Sequence, residues 1–383
     1  MNWPNTVLTE RLGIRYPIIQ APIAGGPPLV AAISNAGGLG CLAGSHLHPE
    51  PLRQAIAEVR ALTDQPFAID LSAAHPAKVD ATRITRAQEL LAPYRAELNL
   101  PSDPPPLPEL PGIDEQLDVI LETQAPVLSF VFGIPGAEYL ALLREAGIAL
   151  LGTATHLLEA IVLEESGADF IIAQGAEAGG HRSTFVGHPE QGLVGTLTLA
   201  PLLAKHVSVP IIAAGGIMDG HGIAAAQMLG AVGVQMGTAF LACPESDAHP
   251  AYKALLSQGS EIATTLSRVF TGRHGRVLRN RLVNELHAHE AELPGFPLQL
   301  FLTQDLQQAA AERGLTDFMA LWAGQGCHLC EDRPVSELIA TWVAQTMTLL
   351  SSGEPSAPVP KPPLIDDEKK PKIDNLHDPA YFI

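Results

Sequence analysis

Eight short apolar runs recur between Ile18 and Met236, separated by longer stretches with helical periodicity. They lie at 18–21, 39–42, 67–71, 127–130, 149–152, 170–173, 211–214 and 233–236. Their length and content of β-branched and small apolar side chains are those of buried strands. Amphipathic patterns at 29–36, 52–62, 138–145, 157–165, 200–205 and 224–229 fall between most of them. Strand–helix alternation calls for a parallel sheet covered by helices. Eight strands is the number that closes a (β/α)8 barrel. An open doubly wound sheet is the rival. The barrel is preferred because functional-looking residues follow many strands rather than one crevice.

The rhythm breaks after the third run. Residues 72–126 exceed what one crossover needs, and hold a proline-rich stretch at 100–111 with helical patterns at 84–97 and 115–122. After about Thr271 the pattern turns helical, at 310–313, 318–322 and 335–350. The expected fold is therefore an α/β TIM barrel from 1–75 and 125–272. Residues 76–124 and 273–350 would form an inserted and C-terminal helical subdomain, a lid over the barrel mouth. Residues 351–383 carry many prolines and few apolar side chains, so a flexible tail is expected, with 380–383 free to dock.

The composition narrows the partners. With 383 residues and 46% hydrophobic content, the chain can bury a large core. A formal net charge of −18 disfavours nucleic acid and anionic lipid. No apolar run approaches the roughly 18 to 20 residues that span a bilayer. The start, Met1-Asn2-Trp3-Pro4, lacks the basic-then-apolar pattern of a secretion signal. Four cysteines make no disulfide framework and suit a reducing cytoplasm. A small-molecule substrate is expected, with a homodimer left open.

Three sets of glycines carry the chemistry. Residues 174–181 read Gln-Gly-Ala-Glu-Ala-Gly-Gly-His, directly after the sixth run. Gly179 and Gly180 allow close backbone approach to a flat ring or a phosphate. His181 titrates nearest neutral pH and suits proton transfer, although a histidine here could instead cap a helix or bond a phosphate. The last two runs open into Gly215-Gly216-Ile217 and Gly237-Thr238. Loops at these two barrel positions commonly bind phosphate, through backbone N–H groups and a following helix N-terminus. Thr238 adds a hydroxyl. At the first run, Gln20-Ala21-Pro22-Ile23-Ala24-Gly25-Gly26 ends in small residues against which an aromatic ring could lie.

Together with Ser34-Asn35-Ala36-Gly37-Gly38-Leu39-Gly40, Gln235-Met236-Gly237-Thr238 and Trp322-Ala323-Gly324-Gln325-Gly326, these segments resemble nitronate monooxygenase, a family formerly called 2-nitropropane dioxygenase. The resemblance covers about residues 10–350. It implies an FMN-dependent (β/α)8 barrel that oxidises alkyl nitronates with O2. It assigns Gln174 and Gly179 to the flavin, with Ala21, Pro22, Ile23, Asp70 and Gly180 in the cofactor site. Gly215, Gly216, Gln235, Met236, Gly237 and Thr238 would hold the ribityl phosphate. His181 would be the catalytic residue, cationic to hold a nitronate or neutral to take the α-proton of a nitroalkane. Tyr252 would line the substrate pocket with Phe296 and Gln304. Three positions depart from the family pattern: Asp70 replaces asparagine, Phe296 tyrosine and Gln304 lysine. The last two remove a hydroxyl and a positive charge from the substrate side. The alternatives are a flavin-dependent enoyl reductase drawing hydride from NAD(P)H, and a flavoprotein with an altered pocket.

The other polar residues have plainer readings. Glu177 most simply bonds a backbone N–H or an arginine, with Arg182 available. Cys327 and Cys330 have redox or half-site metal spacing, but no second pair completes a zinc site, so no metal is expected. Cys41 and Cys243 read as core residues. Arg273, Arg276, Arg279 and Arg281 form a basic cluster read as charge balancing, with a second phosphate contact as the sharper option.

Overall fold

The computed structural model describes residues 3–23, 25–74, 79–102, 104–106 and 111–352. The tail expected beyond 352, part of the proline-rich stretch and Ala24 lie outside them. Eight strands form the main sheet: β1 (Ile18–Gln20), β2 (Gly40–Ala43), β3 (Phe67–Ser72), β4 (Val127–Val131), β5 (Ala149–Ala154), β6 (Phe170–Gln174), β8 (Ile211–Ala214) and β9 (Gly233–Met236). Their order is β1-β9-β8-β6-β5-β4-β3-β2, every pair parallel. The edges meet at an Ile19–Leu39 bridge, where Gln20 N donates to Leu39 O and Leu39 N to Ile18 O, both at 2.9 Å. The sheet is thus closed into a TIM barrel. All eight strands lie within two residues of the expected runs.

Period-two alternation explains why the runs are apolar on both faces rather than on one. Ile172 and Ile212 point into the barrel with Cys41, Ala68 and Leu151. Their neighbours Ile171 and Ile211 point outward with Ile69, Leu128 and Leu150, beneath the helices. Both faces are buried, so apolar residues dominate, and polar exceptions such as Asp70 and Ser129 satisfy one another. The helix α1 (Val7–Leu12) adds Leu8 and Leu12 to the inner cluster.

The covering helices are α2 (Pro27–Asn35), α3 (Pro49–Leu62), α5 (Ile113–Thr123), α6 (Ala137–Glu145), α7 (Leu157–Ser166), α8 (Thr196–His206), α9 (Gly220–Met228) and α13 (Val335–Ser352). The expected insert therefore divides. Helix α5 packs on the barrel, and its buried Gln116 donates to Gly44 O and Leu47 O at 3.1 and 2.7 Å. Helix α4 (Ala81–Glu97) instead joins a second apolar cluster with α10 (Pro250–Leu256), α11 (Arg281–Leu286) and α12 (Leu298–Glu312). A two-pronged clamp fixes it: buried Arg95 grips both carboxylate oxygens of Asp305 on α12 at 2.9 and 2.7 Å. Helix α13 lies on the barrel wall, where Trp342 meets Phe240 at 5.2 Å.

Two expectations fail after the barrel. The chain is not purely helical there: β10 (Thr264–Ser267) and β11 (Gly275–Leu278) form an antiparallel pair, and β11 also pairs with the two-residue β7 (Gly180–His181). Residues 318–322 are not an α-helix. A 3-10 turn at Thr316–Phe318 gives way to extended chain that bridges Trp322 to Val277. The aromatic and apolar residues of that segment face the second cluster, and tertiary packing overrides their local helical pattern. No helix among the described residues is long and apolar enough to cross a membrane.

Candidate active site

The carboxyl ends of β1, β6, β8 and β9 open on one cleft. Its walls are Ala21 and Ile23 after β1, Gln174, Glu177, Ala178 and Gly179 after β6, residues 214–218 after β8, residues 235–238 at β9, and Gly324 and Gly326 from the far loop. Ala21, Ile23, Gln174, Gly179, Gly215, Gly216, Gln235, Met236, Gly237 and Thr238, ten of the expected binding residues, meet here. Pro22, Gly180 and Asp70 do not line it.

The cleft is made of backbone. A Cβ on Gly179 would stand 2.5 Å from Gly324 N, so the two loops cross in direct main-chain contact. Gly215 and Gly216 adopt φ of 111° and 72°, a region that glycine enters freely. A Cβ on Gly237 would meet Ala21 Cβ and Ile23 Cδ1 at 3.1 Å. The N–H groups of Gly216 and Gly237 donate to no acceptor among the described residues, as suits an anion-binding turn. Thr238 Oγ1 accepts from Gly324 N at 2.9 Å and retains its own proton to donate.

Of the helix starts expected to contribute after the last two barrel strands, that of α9 is already occupied, whereas the 3-10 turn Thr238–Phe240 after β9 has no side-chain cap. Asp219 caps α9 by accepting from His221 N and Gly222 N at 2.9 and 3.0 Å. Glu177 caps α8 by accepting from Thr196 N at 3.0 and 2.9 Å and from Thr196 Oγ1 at 2.9 Å. Arg182 is not the partner of Glu177: its guanidinium donates to the carbonyls of Gly175, Gln174 and Gly192.

His181 lines neither this cleft nor the cavity beyond it, but stands between them. Its carbonyl accepts from Gln174 Nε2 at 3.0 Å, while Gln174 Oε1 accepts from Ser183 N at 3.0 Å. Gln174 thus pins the histidine segment. Pairing of His181 with Gly275 makes that segment a strand rather than the expected loop. Around the ring stand Trp322 at 4.6 Å, Phe132 at 5.7 Å and Phe296 at 5.8 Å between centroids. Nε2 lies 2.8 Å from Thr271 Oγ1. That hydroxyl can donate to Arg273 O at 3.3 Å, leaving its lone pairs for Nε2–H. Nδ1 is then the basic nitrogen, and it has no partner among the described residues.

Burial and, second, the Arg273 charge push the His181 pKa down to about 3. The imidazole is therefore neutral at neutral pH, and the expected cationic role falls away. The nearby cation is Arg273, held 3.9 Å over the Phe132 ring and donating to the carbonyls of Arg182 and Thr184. Phe132 itself adopts φ 67°, a strained conformation for a bulky residue that turns the chain out of β4.

Other expected residues fall elsewhere. Buried Tyr252 spends its hydroxyl on Trp322 O and lies in the second cluster, beneath the site. Gln304 is exposed on α12. Asp70 is buried within β3 and accepts from Ser129 Oγ at 2.8 Å; desolvation outweighs that bond and raises its carboxyl to about 7. Cys330 Sγ contacts Thr238 O at 3.0 Å, and all four cysteines are free. Within the basic cluster only Arg281 forms ion pairs among the described residues, with Glu97 and Glu285. Reading the sequence left out Phe132, Thr271 and Arg273 as neighbours of His181. Gly324 had a signal, since it sits in the glycine motif after Trp322.

The model of the nitronate monooxygenase family matches residues 5–345. A probable nitronate monooxygenase of Staphylococcus haemolyticus is 39% identical, over 91% of this chain and 99% of its own length. One from Staphylococcus aureus is 38% identical, over 90% and 98%. Among solved structures, a nitroalkane oxidase from Streptomyces ansochromogenes superposes with a TM-score of 0.80 at 38% identity, covering 89% of this chain and 99% of that one. FabK from Thermotoga maritima superposes at 0.72 with 31% identity, covering 90% and 97%. The chain is an oxidoreductase and belongs to the nitronate monooxygenase family.

Proposed function

We propose that the protein oxidises alkyl nitronates, and nitroalkanes by way of them, with FMN seated in the glycine cleft and O2 as oxidant. The observation that carries this reading is the pair of orphan N–H groups at Gly216 and Gly237, one strand away from an enclosed, neutral histidine. The phosphate would lie in the turns after β8 and β9, met by those N–H groups and the Thr238 hydroxyl. The ring would lie against the Gly179 main chain and the apolar side chains of Ala21 and Ile23. When bound, the flavin supplies electron acceptance and reaction with O2.

The protein's own groups handle the proton. Neutral His181 takes the α-proton of a nitroalkane at Nδ1, and the carbon's electron pair spreads onto the nitro group. Thr271 holds the tautomer by accepting from Nε2–H. Phe132, Phe296 and Trp322 exclude water and leave an apolar wall for the alkyl part. Arg273, still cationic with its pKa lowered to about 10, attracts the nitronate that forms. We further propose that α4 and residues 241–330 make the substrate-side unit over the barrel.

The purified protein is expected to show flavin absorbance near about 375 and 450 nm. In anaerobic solution the nitronate of 2-nitropropane should bleach it, and air should restore it. Bleaching by NADH with no response to nitronate would overturn the reading in favour of a reductase.

A further inference from the structure

A second cavity, of about 300 Å³, opens on the other side of the histidine. That volume enters the range of roughly 300–1,000 Å³ seen for small-molecule sites. Its walls include three arginines and a histidine and, among the described residues, no carboxylate. In a chain of net charge −18, such a local excess of cations is contrary to the whole.

The small sheet builds this cluster. Arg182 follows β7 and its N–H donates to His274 O at 2.8 Å, so Arg182, Arg273 and His274 stand on adjacent chains. Arg268 follows β10. Gly272 lets the opposite wall close: a Cβ there would stand 2.5 Å from Pro294 O and 2.7 Å from Phe296 N. Arg182 and Arg273 spend their bonds on carbonyls, which fixes them in place. Arg268 has no side-chain partner among the described residues, and its Nε is buried and unsatisfied. Carboxylates do act from outside the lining: Glu290, held by Ser267, on Arg268 and His274, and Glu190 on His274. Glu159, bonded to Thr155 and the N–H groups of Phe185 and Val186, acts on Arg182 and Arg273 from behind the wall. A half-buried guanidinium with no hydrogen-bond partner among the described residues, and a buried Nε–H left unmatched, can take an anion from the cavity.

We propose that the cavity formed by Arg182, Thr184, Arg268, Arg273, His274 and Phe296 binds a phosphate or diphosphate ester. A lone carboxylate would meet one arginine and leave the others unmatched; a dianion of diphosphate size matches the charge and the volume. The ester's remainder would run past Phe296, whose ring touches the face of His181. This phosphate site is separate from the one in the glycine cleft, and does not depend on the flavin reading.

Calorimetric titration of the full chain as purified, at low ionic strength, tests it with inorganic pyrophosphate and with ADP. One saturable site is expected, weakened about tenfold or more in Arg268→Gln. His274→Gln should weaken it less, and Arg281→Gln, which removes a paired surface arginine, should leave it unchanged. Gly237→Val should retain it, since that change falls in the other cleft. ADP binding more tightly than pyrophosphate would identify a nucleotide ester; pyrophosphate binding more tightly would identify a smaller one. Absence of saturable binding, equal affinity in Arg268→Gln and wild type, or loss in Gly237→Val but not in Arg268→Gln would overturn the proposal.

Discussion

The two sides of His181 are built from different materials. On one side, the cleft over β8 and β9 is main chain: glycines at close approach, unspent N–H groups and one threonine hydroxyl. On the other side, the wall is side chain: three aromatic rings, Thr271 and a set of arginines. A backbone site tolerates no added atoms but is indifferent to nearby polarity. A side-chain site is tuned by each neighbour's charge and burial. The first therefore suits a ligand common to many proteins, and the second suits whatever distinguishes this one.

The sharpest break in that contrast is a steric change on the main-chain side. Gly237→Val puts its Cβ at 3.1 Å from Ala21 Cβ and Ile23 Cδ1, and its methyls beyond. We predict protein purified without flavin bands, at least a hundredfold loss of bound cofactor, with the fold retained by circular dichroism. Normal flavin content would place the cofactor elsewhere.

The side-chain counterpart should do the reverse. His181→Ala should keep the flavin spectrum and lose about 10²–10⁴-fold in kcat/KM for neutral nitroalkanes. Turnover of preformed nitronates, which need no deprotonation, should fall far less. Equal losses on both substrates would remove proton abstraction from the role of His181.

These two regions also differ in how they could be read. The eight staves and the glycine turns are local features: Ile211 to Gly216 carries its strand, its turn and its φ requirement within six residues. His181 was legible as an imidazole after glycines, but its environment was not. Phe132, Thr271, Phe296 and Trp322 come from four distant segments, joined by a small antiparallel sheet that no alternation pattern announced. Tyr252 shows the limit of resemblance. Its hydroxyl supports Trp322 from beneath instead of lining the pocket. The α5 helix, expected in the lid, packs on the barrel through Gln116, a buried contact that periodicity does not reveal.

Electrostatics sharpens the contrast more finely. With its pKa near 3, His181 stays unprotonated above about pH 4, so its ionisation should leave no acid limb in kcat/KM between about pH 5 and 8. Burial is the larger cause and Arg273 the smaller. Arg273→Gln removes the smaller one, so the imidazole pKa should rise while remaining below 6.5. The expected result is a new acid limb between about pH 4 and 6, with roughly tenfold lower activity at its foot. An unchanged profile would show that Arg273 does not act on His181.

The smallest effect belongs to Asp70, within β3. Its carboxyl ionises at about 7 in the fold and near 3.8 in the unfolded chain. Between those values the unfolded chain holds fewer protons, so stability falls as pH rises through the window. Asp70→Asn removes the titration while Asn Oδ1 still accepts from Ser129 Oγ. The variant should melt about 5 °C higher than wild type at pH 8 and come close to it near pH 4. The difference should grow across that interval, because the penalty is desolvation of charge and the amide carries none. A melting curve for Asp70→Asn with the same pH slope as wild type would show that Asp70 ionises in the fold as freely as in water.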